Sequence, residues 1–77
     1  MRIRVYAASF CSFEHIDKDG YMELPEGAVL EDVYERLGVP RLMRRIVFAT
    51  VNYKKVGRKT SLQEGDVVSF FSALGGG

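Results

Sequence analysis

One stretch of this chain, and only one, repeats its apolar residues every four positions. Val29, Val33 and Leu37 recur at that spacing, Leu30 and Tyr34 run alongside, and Glu31, Asp32, Glu35 and Arg36 fill the other positions. This is the pattern of a helix with a single apolar stripe. Gly38 suits its C-terminal cap and Pro40 forbids continuation, which predicts a helix of about ten residues with no obvious N-terminal cap. A lone stripe of this kind must be buried against something. The remaining apolar residues are spaced as strands, so the stripe has a sheet to cover, and the architecture expected is two-layer α+β.

The first two strands follow from period-two alternation. Ile3 and Val5 alternate with Arg2, Arg4 and Tyr6, the signature of a strand buried on one face. Asp17-Lys18-Asp19-Gly20 is a turn, after which Met22 and Leu24 alternate with Tyr21 and Glu23 until Pro25-Glu26-Gly27 stops the pattern, which suggests an opening hairpin. Ile46 to Val51 is a continuous apolar, β-branched run, expected of a strand with neighbours on both sides near the middle of the sheet. Asn52 to Lys55 reads as a turn into a short strand around Val56, Gly57 to Thr60 as a loop, Glu64-Gly65-Asp66 as a turn, and Val67 to Ser72 as the last strand. The predicted order is β-β-α-β-β-β, a mixed sheet of four to five strands with one main helix packed across it.

Seventy-seven residues allow one domain. With 47% hydrophobic and 27% charged residues the chain is globular, and no apolar run approaches the roughly 20 residues a membrane helix requires. Met1-Arg2-Ile3-Arg4 opens straight into strand alternation without a secretory h-region, so the cytoplasm is the expected location. One cysteine, Cys11, and one histidine, His15, are too few for a structural zinc site, so no metal is expected. Arg41, Arg44, Arg45, Lys54, Lys55, Arg58 and Lys59 crowd the middle of the chain. They lack the glycine and aromatic pattern of an RNA-binding strand, and a net charge of +1 gives no global field for nucleic acid. They suit an acidic protein partner better.

The chemistry-bearing feature lies at the C-terminus. Leu74-Gly75-Gly76-Gly77 follows the last strand directly, so residues 72–77 read as a flexible tail. Glycine tolerates backbone conformations that other residues avoid, and such a tail can thread a narrow channel and present its α-carboxyl. A frayed end would look the same in isolation.

Four stretches carry a resemblance to a known family: Met1 to Tyr6, Glu23 to Val29, Ala49 to Asn52, and Leu62 to Phe71. Leu62-x-x-Gly65-Asp66-x-Val68 leading into Phe70-Phe71, with Gly76-Gly77 about six residues on, is the most specific. On these residues the chain resembles the ubiquitin-like β-grasp sulfur carriers of the MoaD/ThiS family. It departs from the family pattern at Asn52-Tyr53, where Asn-Gly is usual, at Ala28, where a capping threonine is usual, and at Ser72-Ala73, where the molybdopterin type carries prolines. The first departure weakens the preference for a type I′ turn.

The resemblance implies that an E1-like adenylating enzyme uses Mg-ATP to convert the Gly77 carboxylate to an acyl-adenylate. A sulfur donor, such as a cysteine desulfurase or rhodanese-like protein, then gives a C-terminal thiocarboxylate. Activation is needed because a free carboxylate is a poor electrophile. The glycines match neither phosphate-binding fingerprint, so the nucleotide belongs to the partner and the chain is a cosubstrate rather than an enzyme. Gly76, Gly75, Leu74, Phe70 and Phe71 are the expected partner-binding residues. Leu24-Pro25-Glu26-Gly27 and Phe70-Phe71 resemble the molybdopterin branch more than the thiazole branch, which implies the large subunit of molybdopterin synthase as a further partner. A conjugation tag captured by a lysine, or an interaction domain, are the alternatives. Cys11 and His15 are read as ordinary packing or exposure, and Glu14, Asp17 and Asp19 as a solvated turn.

Overall fold

The computed structural model describes residues 1–7 and 11–72. Five strands form one mixed sheet: β1 (Arg2–Tyr6), β2 (Tyr21–Glu23), β3 (Val47–Val51), β4 (Lys54–Lys55) and β5 (Val67–Ser72). A single α-helix, α1 (Leu30–Arg36), and a 3₁₀ turn over Met43–Arg45 complete the elements. The strand order is β2-β1-β5-β3-β4. β5 runs parallel to β1 and antiparallel to β3, while β1–β2 and β3–β4 are antiparallel. The middle of the sheet is therefore β5, and β3 stands one place out, flanked by β5 and, at Thr50 and Val51 only, by β4.

The helix is shorter than its apolar period because both ends are claimed by caps. Val29 is extended and forms an isolated bridge to Ser61, so helical geometry starts at Leu30. No side chain accepts from the first turn as a conventional N-cap would. Instead the backbone of the neighbouring loop does so: Leu30 N–H donates to Thr60 O at 2.9 Å and Glu31 N–H to Arg58 O at 2.8 Å. Asp32 Oδ2 reaches back to accept from Val29 N–H at 2.8 Å, one half of a capping box. These bonds satisfy amides that would otherwise be left open, which is why Ala28 in place of threonine leaves no orphan donor there. At the other end Gly38 takes φ +68°, and its N–H and that of Val39 donate to Glu35 O and Tyr34 O, closing the helix as a Schellman motif.

The stripe does what its spacing predicts. Leu30, Val33, Tyr34 and Leu37 are buried against Ile3, Val5, Met22, Ala49, Val68 and Phe70 of the sheet, and the Tyr34 ring meets Phe70 edge to face at 5.1 Å. Each fully buried aliphatic side chain contributes about 1.5–3 kcal/mol.

Two elements differ from expectation. The 3₁₀ turn is started by Pro40, whose carbonyl accepts from Met43 and Arg44 N–H. β4 lies at Lys54–Lys55 rather than around Val56, because the connection from β3 is a two-residue turn that pairs Val51 with Lys54. Asn52 and Tyr53 both adopt left-handed backbone, at φ 52° and 70°, as a type I′ hairpin demands, although glycine is absent. Asn52 is held there by its side chain, Oδ1 accepting from Val67 N–H and Nδ2 donating to Asp66 Oδ1, both at 3.0 Å. Tyr53 is 78% exposed and carries the strain without such compensation.

Opposite outcomes are expected at these two positions. Tyr53→Gly should stabilise the protein by about 0.5–1 kcal/mol, relief of strain outweighing the entropy of glycine. Asn52→Ala should destabilise it by about 2 kcal/mol, since two hydrogen bonds go and the positive φ stays. Urea unfolding of both variants checks the pair. A pH dependence follows from Asp17, whose Oδ1 accepts from Tyr21 and Asp19 N–H, each at 2.9 Å, and whose Oδ2 meets Arg2 at 3.2 Å. The backbone bond from Tyr21 foremost lowers its pKa. A depressed carboxylate stabilises the fold above its ordinary pKa, and that contribution is lost as pH falls through the folded value. Asp17→Asn should flatten the acid limb of a Tm-versus-pH curve below about pH 4.

Candidate functional site

Everything at the C-terminal end of the sheet depends on how β5 is launched. Leu62 is buried, anchoring the loop in the core, and the turn after it is closed by Asp66, whose Oδ2 accepts from Gln63 N–H at 2.8 Å. Gly65 takes φ +83° and donates to Arg2 O at 2.9 Å. An L-residue there would be strained although a Cβ would meet nothing within 4 Å, so the requirement is conformational and not one of space. Arg4 N–H then donates to Asp66 O at 2.9 Å, which ties the turn to β1. From this start β5 crosses the sheet between β1 and β3, and Ser72, its last residue, pairs with Val47.

Gly77, Gly76, Gly75 and Leu74 lie outside the described residues. Of the predicted site residues the structure places Phe70 and Phe71, and it separates them. Phe70 is 5% exposed and packed on Tyr34 beneath the sheet, whereas Phe71 is 41% exposed on the open face. Successive residues of a strand point to opposite faces, so two adjacent aromatics cannot both meet a partner. The expectation that Phe70 binds a partner is thus corrected: it is core, and only Phe71 is presented.

The open face gathers residues that spacing alone did not assign to the site. Phe48 pairs with Phe71 across β3 and β5, and their rings stack at 5.3 Å with 24° between planes. Lys55 Nζ sits 5.1 Å from the Phe48 ring. On the other flank Tyr6 pairs with Ser69 and is half exposed. Arg4 stands between two phenols, its guanidinium 5.1 Å from the Tyr6 ring and 5.2 Å from that of Tyr21, and its Nε is buried without a hydrogen-bond partner. Alternation within each strand marks these residues as one face; only the register brings Tyr6, Phe48 and Phe71 to the same end of it, the end where β5 finishes.

The remaining candidates fall elsewhere. Cys11 is buried in the core, while His15 is exposed and helps line a surface cavity of about 280 Å³ with Arg2, Asp17, Tyr21 and Arg36. That cavity adjoins the first residue of β1, and because β1 and β5 are parallel it lies at the end of the sheet away from Ser72. Among the described residues no three His, Cys, Asp or Glu side chains gather as a metal site, and no helix is long and apolar enough to cross a membrane.

Comparison with known proteins agrees with this geometry. The crystal structure of SAMP1 from Haloferax volcanii superposes with a TM-score of 0.63, covering 100% of both chains at 13% sequence identity, a likeness of fold. No curated protein matches the sequence. The ThiS family model matches residues 10–77, nearly the whole chain including the glycine tail. Small ubiquitin-like proteins of this kind are generally non-catalytic and work with E1-like activating enzymes. This chain, a ubiquitin-like β-grasp domain with one helix on a five-stranded mixed sheet, belongs to the ThiS family, whose members support its reading as a sulfur carrier or conjugation tag.

Proposed function

We propose that the chain is a sulfur carrier whose Gly77 carboxylate is the reacting group. An E1-like partner binds Mg-ATP, and a carboxylate oxygen of Gly77 attacks the α-phosphorus, releasing pyrophosphate and leaving an acyl-adenylate. The outer sulfur of a persulfide on a cysteine desulfurase or rhodanese-like donor adds to the acyl carbon and AMP departs; a thiol then attacks the donor sulfur of the resulting acyl disulfide, taking it up as a new disulfide and releasing the thiocarboxylate. Adenylation matters because AMP is a good leaving group where oxide is not. The family match through Gly77 carries this reading, and the launch of β5 from the Leu62-to-Asp66 turn supports it, since the last strand is fixed at its start and ends on an open face.

The chemistry needs the tail and a docking surface but no catalytic set on the chain itself. Phe71, Phe48 and Tyr6 offer aromatic surface near the end of β5, and exposed aromatics of this kind make efficient contact anchors. Within the carrier reading, Leu24-Pro25-Glu26-Gly27 and the two aromatics favour molybdopterin synthesis as the recipient pathway, with the large subunit of molybdopterin synthase as the partner that accepts the tail. A conjugation tag shares the adenylate and differs in the nucleophile, a lysine amine in place of sulfur.

Intact mass after incubation with activating enzyme, ATP and sulfur donor tests the proposal. The expected gain is one oxygen replaced by sulfur, absent in a chain lacking Gly77 whose melting is unchanged; a lysine-linked adduct would select the tag instead. The two aromatics should part company in the same assay. Phe71→Ala should raise the KM for the carrier by about tenfold with little loss of stability, as expected for an exposed anchor. Phe70→Ala should cost about 3–5 kcal/mol in stability, since it empties the core under Tyr34.

A further inference from the structure

Charge is divided along this chain in a way its net value hides. Between Val39 and Lys59 there are seven cations and no carboxylate, although the whole chain holds 11 Lys and Arg against 10 Asp and Glu. The fold deploys that segment as the 3₁₀ turn, β3 and the β4 edge, on one side of β5. The opposite edge is β2, led in by Asp17 and Asp19 and ending at Glu23. Arg2, Arg4 and Lys18 stand with these carboxylates on the β1 and β2 side, so the excess of cations lies on the β3 side.

Several of these cations are spoken for. Arg44 is drawn inward, its side chain 8% exposed, with Nε donating to Val39 O at 3.0 Å and Glu35 3.6 Å away. Arg58 and Lys59 share Glu31 at 3.8 Å, and Lys55 lies over Phe48. Among the described residues that leaves Arg41, Arg45 and Lys54 exposed with side chains in no ion pair or hydrogen bond, and Lys54, which pairs with Val51, stands at the far end of β3 from the other two. Between the two arginines Leu42 is 81% exposed, the most exposed large apolar side chain among those described. The position of Arg41, Leu42 and Arg45 follows from the register. Ser72 pairs with Val47, and the 3₁₀ turn ends at Arg45 just before it, so the turn stands beside the place where β5 ends.

We propose that Arg41, Leu42 and Arg45 form a cationic docking edge for an acidic protein surface on the enzyme that activates the C-terminus. The proposal rests on the carrier reading and adds the chemistry of the partner. Arginines without a counter-charge have no carboxylate on their own chain to release, so an acidic surface gains their full attraction. Leu42 at the centre supplies the apolar contact that charge alone does not. Cations placed beside the end of β5 orient the approaching partner by the end of the domain that bears the tail. A one-sided field of this kind acts mainly on association and is lost with salt.

The test measures kcat/KM for ATP-dependent adenylation with the carrier as varied substrate, at about 0.01 M and about 1 M salt, where the Debye length is about 30 Å and about 3 Å. At low salt Arg41→Glu with Arg45→Glu should lower kcat/KM by about tenfold or more, mostly through KM, and the deficit should vanish at high salt. Lys18→Glu, the same charge reversal in the turn before β2, serves as control and should have less effect. A wild-type chain that is adenylated with no sensitivity to salt, and a double variant equal to it, would overturn the docking edge and leave the carrier reading intact. A wild-type chain that is never adenylated by a demonstrably active enzyme would overturn the carrier reading and this inference with it. Salt-sensitive binding of duplex DNA or RNA, or a dimer in sedimentation, that the double variant loses while its adenylation is unchanged would reassign the edge to nucleic acid or to a second copy.

Discussion

The parallel pairing of β1 with β5 is the contact from which the rest of the structure hangs. It joins the first strand of the chain to the last described one and places β5 in the middle of the sheet. Such a contact spans most of the sequence and is entropically expensive to close, so it must be fixed by more than ladder hydrogen bonds. The fixing groups are at its start. Asp66 closes its own turn and receives Asn52, Asn52 accepts from Val67, and Gly65 and Arg4 bond across to β1 and to the turn. A slip of one residue would exchange Phe70 with Phe71, removing the ring that Tyr34 packs on and burying the one the open face presents.

The helix depends on the same arrangement more than on its own residues. Seven residues are too few to persist alone, and the first turn has no side-chain acceptor of the usual kind. Loop carbonyls at Arg58 and Thr60 take that role, and they are in place because Leu62 is buried and Leu62 N–H donates to Ala28 O. Stability at the helix N-terminus is thus set by a loop almost thirty residues later. The type I′ turn tells the same story. Its preferred glycine is missing, yet the β3–β5 ladder and the Asn52 side chain impose the conformation that local propensity alone would not choose.

What the site offers chemically is consistent with this division of labour. The described body contains a central strand fixed at its start, with exposed aromatics and exposed cations beside its end. A protein that is acted upon needs a fixed exit and a recognisable surface, while the enzyme that acts on it supplies the nucleotide pocket and the electrophile. On the proposed reading recognition falls on the body and reaction on the tail, which keeps the two requirements independent.

The sequence by itself determined the number and type of the main elements. Period four at Val29 to Leu37 gave one helix, period two gave β1 and β2, the apolar run after the Glu64-Gly65-Asp66 turn gave β5, and Gly38, Pro40 and Gly65 marked where the chain must turn. These follow from local geometry, because side-chain spacing along a helix or strand is fixed by the backbone alone. The family resemblance, too, was legible in Leu62 to Phe71 and the glycines beyond. The tertiary structure decided what depends on which strands are neighbours: that β5 and not β3 takes the centre, that β4 starts at Lys54, that Phe70 is core while Tyr6, Phe48 and Phe71 share a face. It also decided which cations are paired and which stand free. Register and strand order are contacts between residues far apart in the chain, and no period within a single segment encodes them.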